Sequence, residues 1–333
     1  MSDPSYVPMP APPPAPTAPE PPARTKRSGP VIVAIVAAVA LIASIAAFAL
    51  TRGGDAQAQP LALSFTQGQS QTYEIHQAIE ADISAEVLGD QPFAMDVTQV
   101  VGWEVVSVAE DGTATIEVTV SEMSGTVNGA QIPAAPVPPI EMVIAPDGRI
   151  VSAGGLALGG AGQTQGFGFP GMGQLTPLLP DEGEAVEVGD SWTKEFSQEF
   201  PFGEGTIEFS ATCTYERDET VDGREAAVIV TEMTVPLDLT LRFADLLEQL
   251  GPEAAGASGV DPALFADAQI AYGGEGTIVQ TSFVDLQAQE LLRSESSGSF
   301  DLQMSFSGIP GFDAAGANEV GFVGTFEQEM TLR

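Results

Sequence analysis

From residue 71 to the C-terminus, polar and apolar residues alternate with period two, as in strands with one face in a core and the other in water. In the first run Tyr73, Ile75, Ile79, Ala81, Ile83, Ala85 and Val87 share one face, while Glu74, His76, Glu80, Asp82 and Glu86 share the other. Gly89-Asp90 turns the chain into a second run with Phe93, Met95, Val97, Val101, Trp103 and Val105 on one side, and together the two predict a long hairpin. Asp111-Gly112 leads into a third strand with Ala114, Ile116, Val118 and Val120 inward, and Ile140, Met142 and Ile144 open a fourth before the turn at Asp147-Gly148. The pattern resumes after residue 180 with Trp192, Phe196, Phe200 and Phe202, then Ile207, Phe209, Ala211, Cys213 and Tyr215. It closes with Phe300, Leu302, Met304 and Phe306, then Val320, Phe322, Phe326, Met330 and Leu332. Successive strands joined by tight turns pair antiparallel. The expected fold is therefore mainly β: a long curved sheet or incomplete barrel in which the chain ends.

Two related halves, about 61–180 and 181–333, are suggested by a local echo. The segment from Asp111-Gly112 to Glu122-Met123 resembles the one from Asp222-Gly223 to Glu232-Met233. Duplication accounts for this, and so does any Asp-Gly hairpin leading into a strand. Two stretches interrupt the alternation at comparable places. Residues 154–173 are rich in glycine and read as a loop, and Phe243, Leu246, Leu247 and Leu250 have helical spacing before Gly251-Pro252.

The N-terminal 60 residues follow other rules. Residues 1–30 carry nine prolines between Pro8 and Pro22 and almost no large apolar side chain, a composition that cannot bury a core and predicts a disordered arm. Val31 to Leu50 is an uncharged run of 20 residues, long enough at ~1.5 Å per residue to cross the ~30 Å hydrocarbon layer as a transmembrane helix. Arg24, Lys26 and Arg27 precede it and only Arg52 follows closely, which places the arm in the cytoplasm and the bulk of the chain outside. A linker at 51–60 then leads to the outer domain, 61–333. The competing reading is a cleaved signal peptide ending at Ala56-Gln57-Ala58, against which stand the length of the apolar run and the Pro-rich segment before it. Cys213 is the only cysteine, so a lipid-modified N-terminus is excluded and no internal disulfide can form.

The chain's net charge is −35, and Asp3 and Glu20 stand against three bases in the arm, so the outer part carries one negative charge more than the whole. Lys194 is its only lysine. Such a surface repels nucleic acid and anionic headgroups; it also suits solubility, or a basic partner.

Each apparent catalytic motif has a simpler account. Gly189-Asp190-Ser191-Trp192 looks like a serine hydrolase opening, but the sole histidine, His76, lies upstream on a polar strand face beside Glu74 and Asp82, which leaves the serine without a base. A turn delivering Trp192 into the core is the expectation. Asp218 to Gly223 matches the first six positions of a calcium loop, yet Ile229 stands where a bidentate Glu is required; a hairpin turn is expected. Cys213 sits on an inward row as a small apolar thiol. No catalytic, metal or cofactor residue is assigned, and the expectation is a non-enzyme. One feature tilts towards binding: Gln77, Gln99, Lys194 and Gln198 interrupt inward rows, and a sealed core rarely accepts such groups without partners.

Thr72 to Val105, the turn at Asp111-Gly112, and above all Val186-Glu187-Val188-Gly189-Asp190-Ser191-Trp192-Thr193 resemble an uncharacterised family of bacterial extracytoplasmic proteins and lipoproteins with a Gly-Asp-x-Trp turn before a strand. The resemblance covers about residues 61–306 and implies a β-rich fold in a bacterial envelope; it carries over no functional residues. The sequence therefore predicts a single-pass envelope protein whose outer domain binds an apolar or lipid-like ligand. Its alternatives are a structural or protein-interaction module, with the Pro-rich arm recruiting a cytoplasmic partner, and a hydrolase using carboxylates alone.

Overall fold

A computed structural model describes residues 58–85, 89–132, 137–153, 156–160, 176–199, 203–242, 267–308 and 319–333. The Pro-rich arm, the Val31–Leu50 span, the helical stretch from Phe243, and Val87, Phe200 and Phe202 lie outside the described residues. Gly54–Arg333 forms one compact unit.

All regular structure among the described residues is β. In chain order the strands are β1 (Gln59–Pro60), β2 (Ser70–Ala85), β3 (Gln91–Val108), β4 (Ala114–Val127), β5 (Ala130–Gln131), β6 (Ile140–Ile144), β7 (Ile150–Ala153) and β8 (Leu156–Gly160). They continue as β9 (Ala185–Val186), β10 (Ser191–Glu199), β11 (Gly203–Glu204), β12 (Thr206–Val221), β13 (Arg224–Arg242), β14 (Gln269–Asp285), β15 (Leu291–Ser307) and β16 (Glu319–Leu332). β8 corrects one expectation, because part of the Gly-rich stretch is strand rather than loop. β1 and β9 form a separate ribbon. The other 14 strands make one antiparallel sheet in the order β10-β12-β13-β14-β15-β16-β2-β3-β4-β6-β7-β8, with β5 added to β4 and β11 to β13.

The order contains two six-strand meanders, β10 to β16 and β2 to β8, joined where β16 pairs β2. The C-terminal strand thus lies inside the sheet, as the alternation predicts. The two Asp-Gly turns occupy equivalent places, between the second and third strands of each meander, but differ in geometry. Asp222 and Gly223 both have positive φ, 51° and 81°, the two-residue hairpin turn whose twist matches the flanking strands. At the other turn only Gly112 is left-handed, and Ala109 and Thr113 close a longer loop.

Edge strands β8 and β10 approach with Cα atoms within 8 Å although they do not pair, so the sheet curls into an incomplete barrel. Close backbone approach on the inner side assists the bending. A Cβ at Gly125 (φ 158°) would sit 2.2 Å from the carbonyl oxygen of Asp96, and one at Gly274 (φ 135°) 2.1 Å from that of Asp301.

Register shifts in five of the strand pairs modulate the alternation. Ser121 is an extra residue in β4, so Val118 and Val120 face inward before it and Met123, Gly125 and Val127 after it. Val106 is the extra residue in β3 and is 48% exposed. Glu216 is the extra residue in β12.

The barrel has unlike ends. At one end the connections are short: the Asp-Gly turns at 111–112, 147–148 and 222–223 and the β14–β15 turn. Tyr73, Trp103, Ile116, Ile144, Leu178, Leu179, Tyr215, Ile229 and Met330 pack there as a continuous buried core. Ala226, Val228, Phe283 and Leu292 form a small second cluster. We call this the closed end. The strand ends that lead to the β2–β3, β13–β14 and β15–β16 connections define the opposite end, called the open end for the half-buried apolar side chains on its described strands; residues 86–88, 243–266 and 309–318 of these connections lie outside the described ones.

Candidate functional site

The interior is organised by a buried extended segment, Thr176 to Pro180, which lies within the barrel. Its backbone is tied on three sides. The amide of Leu179 donates to the carbonyl of Asp147 (2.8 Å), the indole N–H of Trp192 donates to the carbonyl of Leu178 (3.2 Å), and Gln280 Nε2 donates to the carbonyl of Thr176 (3.3 Å).

Beside this segment stands a cluster of charges. Lys194 of β10, 8% exposed, donates from Nζ to Asp147 Oδ2 (3.1 Å) and Asp181 Oδ1 (2.7 Å). Arg149 Nε donates to the same oxygen of Asp147 (2.6 Å). Asp147 lies in the β6–β7 turn, so the pair joins the two meanders across the gap that the sheet leaves open. Asp181 is exposed, and the hydrogen bond from Lys194 together with its charge holds the Asp181 carboxyl below the usual range.

The register assembles a second polar feature that runs across the strands. Thr231, Gln280, Ser296, Gln328 and Gln77 stand side by side on the inner face of β13, β14, β15, β16 and β2. Ser282 and Ser294 follow in the next row towards the closed end. Gln280 is fully buried and donates from Nε2 to Ser294 Oγ (2.9 Å) and Ser282 Oγ (3.1 Å) besides Thr176. The carboxamide oxygens of Gln280 and Gln328 have no hydrogen-bond partner.

Beyond this polar line, towards the open end, the inner face is apolar row after row. Met233, Ile278, Phe326, Ile79 and Met95 come first. Leu237, Leu302, Phe322 and Ile83 lie further out, and Leu239, Tyr272, Met304, Val320 and Ala85 further still. Burial falls along β14, β15 and β16, where Ile278 and Phe326 are buried and Leu302, Phe322, Tyr272, Met304 and Val320 are only half-buried, whereas on β13 Met233, Leu237 and Leu239 stay buried out to the last of these rows. From Gln280 to Ile270 this face follows ten residues of β14, roughly 33 Å of strand. That is about twice the depth of one bilayer leaflet's ~15 Å of hydrocarbon.

The structure places the residues singled out by sequence as follows. Lys194 is partnered as above, Gln77 stands opposite Gln328, Gln99 lies between Ile75 and Met123, and the Gln198 side chain is outside what is described. Gln280 and Gln328 are legible in the alternation, at two-residue spacing between Ile278 and Ser282 and between Phe326 and Met330. His76 is exposed on the outer face with Nε2 3.5 Å from Asp96 Oδ1. Gly189 (φ 100°) and Asp190 form a turn, in which Asp190 Oδ2 accepts from the amide of Glu187 (2.9 Å), and Ser191 pairs its hydroxyl with that of Thr214 (2.9 Å). Trp192 then packs against the core. Asp218 lies in strand β12 and accepts from the Tyr215 hydroxyl; the calcium-like spacing ends in the β12–β13 hairpin. Cys213 is fully buried, burial pushes its thiol pKa up to about 11, and the Thr231 hydroxyl lies 3.6 Å from its Sγ.

No protein-family model matches the chain, and no curated protein matches it. Among solved structures, the chain is similar to a domain from Vibrio parahaemolyticus provisionally assigned to outer membrane lipoprotein sorting. The identity is 9% and the TM-score 0.15, over 78% of this chain and 84% of that one. A TM-score that low carries no argument here.

Proposed function

We propose that this chain is a membrane-anchored module of the bacterial envelope whose outer β domain holds an apolar, acyl-chain-like ligand against the inner rows of its open end. The observation that carries the reading is the fall in burial along the inner face of β14, β15 and β16. The closed end is packed to full burial around Tyr73, Ile116 and Leu178, whereas the inner apolar side chains of β14, β15 and β16 remain half-buried towards the open end. Half-exposed large apolar residues on a concave surface are the usual lining of a small-molecule site.

The anchor is the Val31–Leu50 run, with the arm in the cytoplasm, and the resemblance around Gly189 to Trp192 supports the envelope setting. The module works by binding and has no catalytic role: Ser191 and Asp218 have structural partners of their own, and Lys194 is engaged in joining the meanders. To test the reading, the full chain is purified from a bacterial membrane, exchanged into amphipol and extracted for lipid mass spectrometry. It is also titrated with the neutral probe N-phenyl-1-naphthylamine. We expect co-purifying lipid in near-stoichiometric amount, and probe fluorescence that falls when Leu302→Glu and Phe322→Glu are introduced. A lipid-free protein that also leaves the probe dark would sink the proposal.

A further inference from the structure

We infer that residues 59–65 form a detachable strap across the closed end. It leaves its groove while the large sheet stays folded, and the groove then accepts another extended chain with apolar side chains at alternate positions. The strap crosses the barrel without joining its sheet. Leu61 and Leu63 are buried in the core, Ala62 is half-buried, Ser64 is exposed, and Phe65 packs against the core from the end of the strap. That is the alternation of a strand, and it matches peptide recognition in which main-chain bonds hold the chain and pockets take every second side chain. Among the described residues, two backbone bonds tie the strap to barrel turns, from the amide of Leu63 to the Pro146 carbonyl (2.7 Å) and from that of Ser64 to the Gln289 carbonyl (2.8 Å). The two-residue β1–β9 ribbon and the bond from Gln59 Nε2 to the Tyr215 hydroxyl (2.8 Å) complete the attachment.

What lies beneath the strap lets it go first. β2 and β3 pair without a break from Ser70 to Ile83, so Tyr73 and Trp103, which line the groove, belong to a ladder that the strap does not hold. Under Leu63 and Phe65 the packing leaves a cavity of about 10 Å³, bounded also by Gln71, Tyr73, Trp103 and Glu290. The polar groups there are joined to one another rather than to the strap. The Tyr73 hydroxyl reaches both Gln71 Oε1 (3.0 Å) and the Leu291 carbonyl (3.1 Å), Gln71 Nε2 donates to Glu290 Oε2 (2.6 Å), and Glu290 Oε1 accepts from Arg224. The Tyr215 hydroxyl likewise keeps Asp218 as its acceptor. Departure of the strap therefore strands no buried polar group; the carbonyls it releases belong to Pro146 and Gln289, half-buried turn residues within reach of water. A hinge is marked as well. Thr66, Gln67 and Gly68 are exposed, Gly68 has φ 80°, and its amide donates to the Val105 carbonyl (2.9 Å), so detachment stops where the chain is fastened to β3. While the strap is seated it keeps other chains out of the groove.

The test uses the full-length chain in amphipol and a fluorescein-labelled peptide with the sequence of residues 58–66, beside a control peptide in which both leucines are serine. In the double variant Leu61→Ser, Leu63→Ser the strap loses its two anchors. Fluorescence anisotropy should show the peptide binding this variant roughly tenfold or more tightly than the wild type, because a groove open in about 10% of molecules or fewer lowers apparent affinity in proportion. The control peptide should bind neither. In the wild type, hydrogen exchange at the Leu63 and Ser64 amides should outpace that of β2 and β3 by about tenfold or more and respond weakly to urea, as sub-global opening does. Absent binding, or equal binding to both proteins, overturns the proposal when the variant's sheet is folded. A variant that loses the sheet together with the strap overturns it too, as do wild-type strap amides that exchange only when the sheet unfolds.

Discussion

At the scale of single residues, the interior contrasts a polar group that is fully answered with one that is not. Lys194 interrupts an apolar row, and its charge is met by Asp147 and Asp181. Removing one partner of a buried pair costs roughly 3–5 kcal/mol because the other charge is stranded. In Lys194→Met, Arg149 still reaches Asp147, so we expect a loss of about 2 kcal/mol in urea unfolding, most of it recovered when Asp147→Asn is added. Gln328 is the opposite case. Gln328→Leu removes an unpaired buried oxygen, and we expect a stability gain of about 1 kcal/mol in the ligand-free protein. A loss of that size would show that Gln328 is structural.

At the scale of elements, the β14–β15 turn shows how a carboxylate holds a connection. Asp285 Oδ1 accepts from the amides of Gln287 (2.7 Å) and Ala288 (2.6 Å), and Oδ2 accepts from Arg224 Nε (2.6 Å). Burial pushes the Asp285 pKa up, but the two amides and Arg224 outweigh it, and the carboxyl sits below its usual value. A depressed folded pKa adds stability that is complete above the unfolded value of about 3.9 and is lost as pH falls through the folded value. As pH falls below about 4, wild-type stability should therefore fall more steeply than that of Asp285→Asn; parallel acid limbs in urea titrations would contradict this. β12 supplies a second readout. With its thiol buried and its pKa near 11, Cys213 should react with a disulfide reagent at pH 8 only through global opening. Trapping rates should then rise with urea in step with unfolding. A fast phase in native buffer would place local opening at the β12–β13 pair.

At the scale of the whole molecule, charge and closure set behaviour. A net charge of −35 destabilises the compact state by self-repulsion, and salt screens it over a Debye length that shortens from ~10 Å at 0.1 M to ~3 Å at 1 M. We expect sodium chloride to raise Tm across that range by about 3–6 °C, the equivalent of roughly 1–2 kcal/mol for a domain of this size. A falling Tm would mean that ion pairs such as Lys194–Asp147 dominate over repulsion. Closure depends on groups far apart in sequence: the Thr176–Pro180 segment, the Asp147 turn and β10 meet only because the sheet curls.

The alternation of apolar and polar residues determined many of the strands, their inward faces and their turns, because a strand half in water must repeat every two residues whatever it packs against, but no named run marked β14, whose outer half holds Gly273, Gly274 and Gly276. It also made the polar interruptions visible, and Lys194 among them proved to be a structural tie. Other features were beyond its reach. Pairing β16 with β2 rather than leaving two separate sheets depends on contacts between residues some 250 positions apart, such as Phe326 with Ile79. The Ser121 bulge inverts the face of β4 and is visible only in its register against β3. The polar line from Thr231 to Gln77 exists only in the register, since five strands must align before five isolated polar residues become one row. Tertiary structure decided these because each requires two or more strands to be placed first, and local periodicity is blind to what lies opposite.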